Sequence, residues 1–317
     1  MNETNLAYHY TSQDGFKGIV QEDGIHLWFS DIRYMNDSNE LINAQKVLLY
    51  AAKELLSENE IDQAIYNVLQ NVKYEIKKID RIEFFPSDGI SAKIEVFSAD
   101  FCRFVCCFTK EADSLPMWNY YLKGDGNGYA IGIDARCVDL SKCEIVGQVK
   151  DQSDFFLDHE ITPVEYRDEV KVNILKTEIR RFAASLSACK GNIEKETECR
   201  NEFQNAFEMY ASRFKDYHFQ YENELRMMAT VRMSDKTDID GKKRDDIRFR
   251  LSHGLVIPYF ELHIPQKQAL KAISISPRIG VNADNTVAIE SMKLYLKTLG
   301  YIHDIDIRCS EIPLRYY

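Results

Sequence analysis

A short N-terminal segment, Tyr-His-Tyr-Thr at residues 8–11, places polar side chains on a strand that otherwise looks buried. Side chains alternate between the two faces of a strand, so His9 and Thr11 project together while Tyr10 points the other way. A histidine in such a strand is more often a hydrogen-bonded core residue than a functional one. The hydroxyl on the same face, and the helix predicted directly afterwards, favour a ligand site at this strand end.

A second segment, Tyr-Glu-Asn-Glu-Leu-Arg at residues 221–226, carries acidic side chains on a predicted strand that runs from Tyr221 to Met233. On that strand Glu222, Glu224 and Arg226 share one face. Two ionised carboxylates repel each other if both are buried. Two interpretations stay open: an exposed edge strand in which Arg226 pairs with Glu224, or an active site. In the active site, one glutamate stabilises a developing cation and the other orients a nucleophile.

Composition excludes several classes of protein. The chain has 317 residues, 45% of them hydrophobic, and a net charge of -10. The hydrophobic content predicts a folded core, and the acidic charge argues against sequence-independent binding of nucleic acid. No signal peptide and no apolar run long enough for a bilayer is found, so we expect a cytoplasmic protein without membrane contact. Eight irregularly spaced cysteines contain no Cys-x-x-Cys pair, so reduced thiols and no metal site are expected.

Periodicity along the chain indicates one α+β domain over residues 1–317. Short predicted strands alternate with helices, and two longer helical segments interrupt them, at about 40–80 and 168–216. Both segments carry apolar residues at helical spacing among many charged residues. We therefore expect a mixed or antiparallel sheet core with two helical insertions.

An aromatic cluster, Met-Trp-Asn-Tyr-Tyr at residues 117–121, falls on a short predicted helix. Trp118 and Tyr121 are three residues apart and so share a helix face. Core packing is the ordinary explanation for such a pair. Flat aromatic faces also stack on heterocycles, and on a cationic ring such as nicotinamide in particular.

Two further acidic residues precede or open the first helical insertion. Asn36 and Asp37 lie in a polar turn, and Glu40 follows at the predicted helix start. A helix cap explains them without any function. The alternative is a metal-dependent hydrolase or nuclease, in which Asp37, Glu40 and the two glutamates of the second segment bind a divalent ion.

Taken in order, these segments resemble a large bacterial family of unknown function. The family pattern is roughly YHYT, NDxxE, CFS, MWxxY and YExExR, and this chain has YHYT, NDSNE, CFT, MWNYY and YENELR over nearly its whole length. Thr109 stands where the family more often has serine. That family in turn is similar to the ADP-ribosyltransferase fold, in its His-Tyr-Glu branch.

The resemblance implies roles for individual residues. His9 and Thr11 would hold the ribose and carboxamide of nicotinamide, and Tyr10 departs from the glycine that usually lies between them. Tyr121, with Trp118 or Tyr120 as substitutes, would stack on the leaving ring. Glu224 would be the catalytic carboxylate, and Glu222 is the second choice. The candidate site residues are therefore His9, Tyr10, Thr11, Trp118, Tyr120, Tyr121, Glu222 and Glu224.

The function implied by the resemblance is transfer of ADP-ribose from NAD, which serves as substrate, to a macromolecule. Such enzymes often act as bacterial toxins or antiviral effectors. The acceptor stays open between a protein side chain, a nucleotide, RNA or DNA, and water, and the acidic charge slightly disfavours DNA. The alternatives are a non-catalytic ligand- or nucleic-acid-binding module and the metal-dependent hydrolase. The transferase hypothesis requires that His9, Tyr121 and Glu224 converge on one cleft.

Overall fold

The computed structural model describes residues 6–35, 40–72, 101–122, 127–147, 155–158, 160–232, 245–252, 254–277 and 285–313, and the backbone of 82–84 and 92–94. The helices are α1 (Gln13–Ile19), α2 (Glu40–Ser57), α3 (Gln63–Leu69), α4 (Leu115–Tyr121), α5 (Asp168–Ala188), α6 (Ile193–Ala211) and α7 (Asn285–Thr298). The first strands are β1 (Leu6–Ser12), β2 (Ile25–Asp31), β3 (Ile82–Phe84), β4 (Ala92–Ile94), β5 (Phe101–Thr109), β6 (Gly128–Asp134) and β7 (Glu144–Ile145). The later strands are β8 (Phe155–Leu157), β9 (Thr162–Pro163), β10 (Glu224–Arg232), β11 (Arg248–Ser252), β12 (Leu255–Ile264), β13 (Leu270–Ile275) and β14 (Asp306–Cys309).

Twelve of these strands form one open, mostly antiparallel sheet. Its main path runs β11-β12-β2-β5-β1-β6-β13-β14, and β10 joins it through β5. Among the described strand pairs of this sheet, only β13–β14 is parallel. The expected α+β class with a mixed or antiparallel sheet is therefore confirmed.

Strand β5 is where the sheet divides. One edge of β5 pairs with β10 along its whole length, from Glu224 opposite Thr109 to Arg232 opposite Phe101. The other edge is shared: β1 pairs at Thr109, and β2 pairs at Phe104 and Val105. Strands β1 and β2 therefore diverge along β5, and β5 connects all three.

The sheet and the long helices have separate apolar cores. One core lies on one face of the sheet and includes Phe29, Phe104, Ile131 and Phe260. A second core lies among α2, α3, α5 and α6, which form a helical unit packed against the other face of β10. Both predicted helical segments, 40–80 and 168–216, thus contain helices, although residues 73–80 lie outside the described ones.

Local sequence explains where the elements near the predicted site begin. The Ser12 hydroxyl accepts a hydrogen bond from the Gly15 amide at 3.2 Å and caps α1, as its position before the helix predicts. Pro116 lies in the first turn of α4, where a missing amide hydrogen costs nothing. No helix among the described residues is long and apolar enough to cross a membrane.

Candidate functional site

Five charged side chains form a buried cluster where β10 meets the helical unit. Lys215 donates to Glu222 Oε2 at 2.5 Å and to Glu224 Oε2 at 2.9 Å. Arg226 donates to Glu224 Oε1 at 2.8 Å and, from its two terminal nitrogens, to Glu40 at 2.6 and 3.1 Å. None of the five side chains is more than 4% exposed. Three carboxylates are thus held together by two cations.

The backbone around Asn223 explains how two neighbouring glutamates reach one lysine. Glu222 ends a short 3-10 helix, Tyr217–Glu222, and Asn223 adopts a left-handed conformation with φ 43°. Glu224 then opens β10. The predicted strand from Tyr221 to Met233 is therefore wrong at its start, and Glu222 does not lie on a strand. The predicted pairing of Arg226 with Glu224 is confirmed, but inside the sheet rather than on an exposed edge.

The cluster controls the ionisation of its carboxylates. Burial alone would raise the pKa of Glu224, but the charges of Arg226 and Lys215 outweigh it and lower that pKa to about 2. For Glu40 burial prevails over the attraction of Arg226, so its pKa is raised. Glu224 is therefore a carboxylate that stays ionised at any pH near neutrality.

The lowered pKa of Glu224 predicts a particular loss of stability in acid. A group with a depressed folded-state pKa stabilises the fold above its unfolded pKa and loses that contribution as pH falls through the folded value. Glu40 has a raised pKa in the folded protein, so its contribution to stability increases as the pH falls. We expect the free energy of unfolding in urea to fall between about pH 5 and 2, and to fall less in Glu224→Gln. Equal slopes for the two proteins would show that Glu224 does not titrate in this way.

Tyr121 and Cys107 lie at the same end of the cluster. Burial raises the pKa of the Cys107 thiol, and the charge of Glu224 raises it further. Burial is also the largest cause of the raised pKa of the Tyr121 phenol, with added contributions from Cys107, Glu224 and Glu222. Tyr121 remains partly exposed. Two of the three residues expected to converge, Tyr121 and Glu224, are therefore close enough to interact electrostatically.

His9 lies on the opposite face of the sheet. Tyr8 and Glu224 both pair with Thr109, so these three side chains share a face. His9, the next residue along β1, points to the other face. Its Nδ1 lies 2.8 Å from the Cys107 carbonyl oxygen, and burial lowers its pKa. The expectation that His9 shares one cleft with Tyr121 and Glu224 is therefore wrong.

The other predicted binding residues are also held apart from the cluster. Thr11 shares the face of His9, and its hydroxyl packs so closely on α1 that a Cβ at Gly15 would lie 2.0 Å from it. The Tyr10 hydroxyl donates to the Glu111 carbonyl and accepts from the Ser114 amide, both at 3.0 Å.

Trp118 is a core residue. It is fully buried, packs against Tyr10 with ring centroids 4.5 Å apart, and donates its indole hydrogen to Asp113 at 2.7 Å. A side chain held on all sides has no open ring face for a ligand. Core packing, the ordinary explanation of this aromatic, is the one its surroundings favour.

A divalent ion does not fit the acidic residues proposed for the hydrolase. Glu40, Glu222 and Glu224 accept hydrogen bonds from Arg226 or Lys215, so an ion would have to displace buried cations. Asn36 and Asp37 lie outside the described residues. These contacts argue against the metal-dependent hydrolase at this place.

A cavity of about 200 Å³ borders the cluster between the beginnings of α2 and α5. Glu40 and Lys215 line it together with Lys46, Lys171 and Asp216. Sequence reasoning missed Lys215, because it lies in an irregular segment after α6 and carries no periodic signal. A lysine within ten residues of the two glutamates was the only available indication.

Comparison with known proteins adds one finding. Residues 117–227 match the model of a family described as "Protein of unknown function (DUF2971)". The resemblance to a family of unknown function is therefore confirmed for the part of the chain that contains Trp118, Tyr121, Glu222, Glu224 and Arg226. No curated protein and no solved structure matches the chain.

Proposed function

We propose that the chain is an NAD-dependent ADP-ribosyltransferase, which breaks the nicotinamide–ribose bond and passes ADP-ribose to a macromolecular acceptor. The observation that supports this most is a carboxylate kept ionised, Glu224, beside the partly exposed ring of Tyr121. The segments resemble a family of unknown function, and the similarity of that family to the His-Tyr-Glu branch of the ADP-ribosyltransferase fold also favours the proposal. The acceptor is a protein or a nucleic acid.

In the proposed reaction the bond between C1′ of the ribose and the nicotinamide nitrogen breaks. Nicotinamide leaves as a neutral ring with the bonding electrons, and positive charge develops on the ribose. For the Glu224 carboxylate to stabilise that charge, Lys215 or Arg226 would have to release one of its oxygens. Tyr121 would stack on the cationic ring before it leaves. A nucleophilic atom of the acceptor then bonds to C1′ and loses its proton. His9 lies on the opposite face of the sheet, so the proposal gives up the requirement that His9 share the cleft and rests on Glu224 and Tyr121.

Tyr121→Ala should weaken the use of NAD. A ring that stacks on a cation contributes about 0.5–2 kcal/mol, so we expect KM for NAD to rise about 2- to 30-fold. The measurement is the rate of nicotinamide release at several NAD concentrations. His9→Ala is the control, because its side chain projects from the opposite face, and its KM should stay unchanged. A larger effect from His9→Ala than from Tyr121→Ala would contradict this assignment.

The transferase proposal itself is tested by incubating the full chain with NAD and a cell extract. We expect stoichiometric release of nicotinamide and covalent labelling of a macromolecule by the adenine-labelled portion of NAD. Expression in a bacterial host should also slow growth if the enzyme is a toxin or an antiphage effector, as the resemblance suggests. Release of nicotinamide without labelling would indicate hydrolysis of NAD instead of transfer.

A second candidate function, a non-catalytic ligand-binding module, has its own support. Both oxygens of Glu224 already accept hydrogen bonds from cations, and the adjoining cavity has three lysines in its wall. Because Glu40, Asp168 and Asp216 line the same cavity, it suits a polar ligand that carries both charges. A rise in melting temperature with NAD or another nucleotide, without release of nicotinamide, would favour this module over the transferase.

A further inference from the structure

Two histidines face each other on neighbouring strands, far from the charged cluster in sequence and on a different part of the sheet. His26 on β2 pairs directly with His263 on β12. Their rings stack with centroids 4.7 Å apart. Asp23, in the turn that precedes β2, brings its carboxylate within 3.0 Å of His26 Nε2 and 3.8 Å of His263 Nε2. His263 Nε2 also donates to the Asp23 backbone carbonyl at 3.1 Å, and an ion bound at this nitrogen would replace that hydrogen bond. Three metal-ligating side chains thus meet on one surface.

The distances suit a small metal site. One ring nitrogen from each histidine and one oxygen of Asp23 all lie within 4.8 Å of one another. Ligands about 2.1 Å from a tetrahedral zinc ion lie about 3.4 Å apart, so these side chains would have to move closer together to surround an ion. The Asp23 side chain is 61% exposed and can rotate to close the difference.

A buried carboxylate orients one of the two histidines. Glu261 Oε1 lies 2.7 Å from His26 Nδ1, and Arg248 holds the other oxygen at 2.6 Å. In the neutral tautomer with hydrogen on Nδ1, His26 donates to Glu261 and directs the lone pair of Nε2 towards Asp23. A carboxylate behind a ligating histidine is the arrangement that fixes ring orientation in metal sites.

The turn that carries Asp23 is held in place by its own contacts. Gly24 has φ +149°, and a Cβ there would lie 2.3 Å from the Ile264 carbonyl oxygen and 3.1 Å from His263 Nε2. The Tyr301 hydroxyl donates to the Gly24 carbonyl at 2.8 Å. The backbone of the turn therefore lies in close contact with β12. This contact brings Asp23, His26 and His263 together before any ion binds.

We propose that Asp23, His26 and His263 form a binding site for a transition-metal ion of the zinc class, with Glu261 as the residue that positions His26. Imidazole nitrogens favour Zn²⁺ over Mg²⁺ or Ca²⁺, which prefer oxygen ligands. Three protein ligands leave a fourth position of a tetrahedral ion open to water. The bound ion ties the turn before β2 to β12. Local spacing could not reveal this site, because its ligands come from opposite ends of the chain.

The test is titration of metal-free, full-length protein with ZnCl₂ in a calorimeter, without NAD, so that its outcome is separate from the transferase proposal. We expect one Zn²⁺ per chain and a rise in melting temperature that MgCl₂ does not produce. Asp23→Asn and His263→Ala should weaken binding at least about tenfold, and Glu261→Gln about 10- to 100-fold. Substituted Co²⁺ should give the intense visible absorption of a tetrahedral site.

His218→Ala is the matched control, since His218 also pairs with an aspartate, Asp216, but is highly exposed and elsewhere on the surface. Its zinc binding should equal that of the wild type. Asp23→Asn changes an exposed side chain and should fold normally, which keeps the test valid if a histidine variant does not fold. Absence of zinc binding in the wild type would overturn the proposal, and so would unchanged binding in Asp23→Asn and His263→Ala.

Discussion

Glu224→Gln should lower the rate of nicotinamide release from NAD by about 100- to 10,000-fold, the usual effect of removing an electrostatic or acid–base group. The substitution keeps the size of the side chain and removes the charge that would stabilise the ribose cation. When the rate is measured at several NAD concentrations, kcat should fall more than KM changes, because the charge develops only in the transition state. A rate equal to that of the wild type would remove Glu224 from the mechanism.

A loss of folding stability in Glu224→Gln has to be distinguished from a loss of catalytic rate. Glu224 also accepts hydrogen bonds from Lys215 and Arg226, so its amide variant loses part of a buried ionic network. Rates are therefore compared at a temperature where both proteins are folded, as shown by circular dichroism. Glu222→Gln is the matched control, since Glu222 contacts the same lysine. A greater loss of rate in Glu222→Gln would assign the catalytic role to Glu222.

Arg226→Met should destabilise the fold by about 3–5 kcal/mol, because it leaves buried carboxylates without their cation. Arg226 is fully buried and donates to Glu40, to Glu224 and to the Ser212 carbonyl oxygen at 2.7 Å. Methionine has a similar length, so packing changes little. The measurement is the free energy of unfolding from urea denaturation, with the slope m checked for two-state behaviour.

An exposed arginine provides the control for Arg226→Met. Arg136 also pairs with an aspartate, Asp134, but its side chain is 69% exposed. Arg136→Met should therefore cost only about 0–1 kcal/mol. Adding Glu40→Gln to Arg226→Met should recover part of the lost stability, because it removes one of the uncompensated charges. A cost below about 1 kcal/mol for Arg226→Met alone would show that the network contributes little to holding the helical unit on the sheet.

Local patterns predicted most elements close to the site. The short helix predicted to carry residues 117–121 is α4, and the helix predicted directly after residues 8–11 is α1. These segments have clear periodicity and clear boundary residues. The start of β10 was misplaced because the turn before it depends on the left-handed conformation of Asn223, which alternation of side chains does not reveal.

The site was harder to predict than the fold. Glu224 and Tyr121 were identified from their segment patterns, and they do lie together. The error about His9 came from the register of β1 on β5, which decides the face on which each side chain lies. A shift of one residue would have placed His9 with Glu224. Glu40 and Lys215 could not be combined with Glu224 from sequence, since their contacts join distant parts of the chain.

The division of the sheet at β5 also bears on how the protein is made. During synthesis, β1 and β2 are available to β5 as soon as it leaves the ribosome, whereas its partner on the other edge, β10, is more than a hundred residues away. Until Glu224–Arg232 has emerged, the whole length of that edge presents unpaired backbone amides and carbonyls. Such an edge pairs readily with other chains. We therefore expect a chain that stops before β10 to aggregate through the unpaired edge of β5.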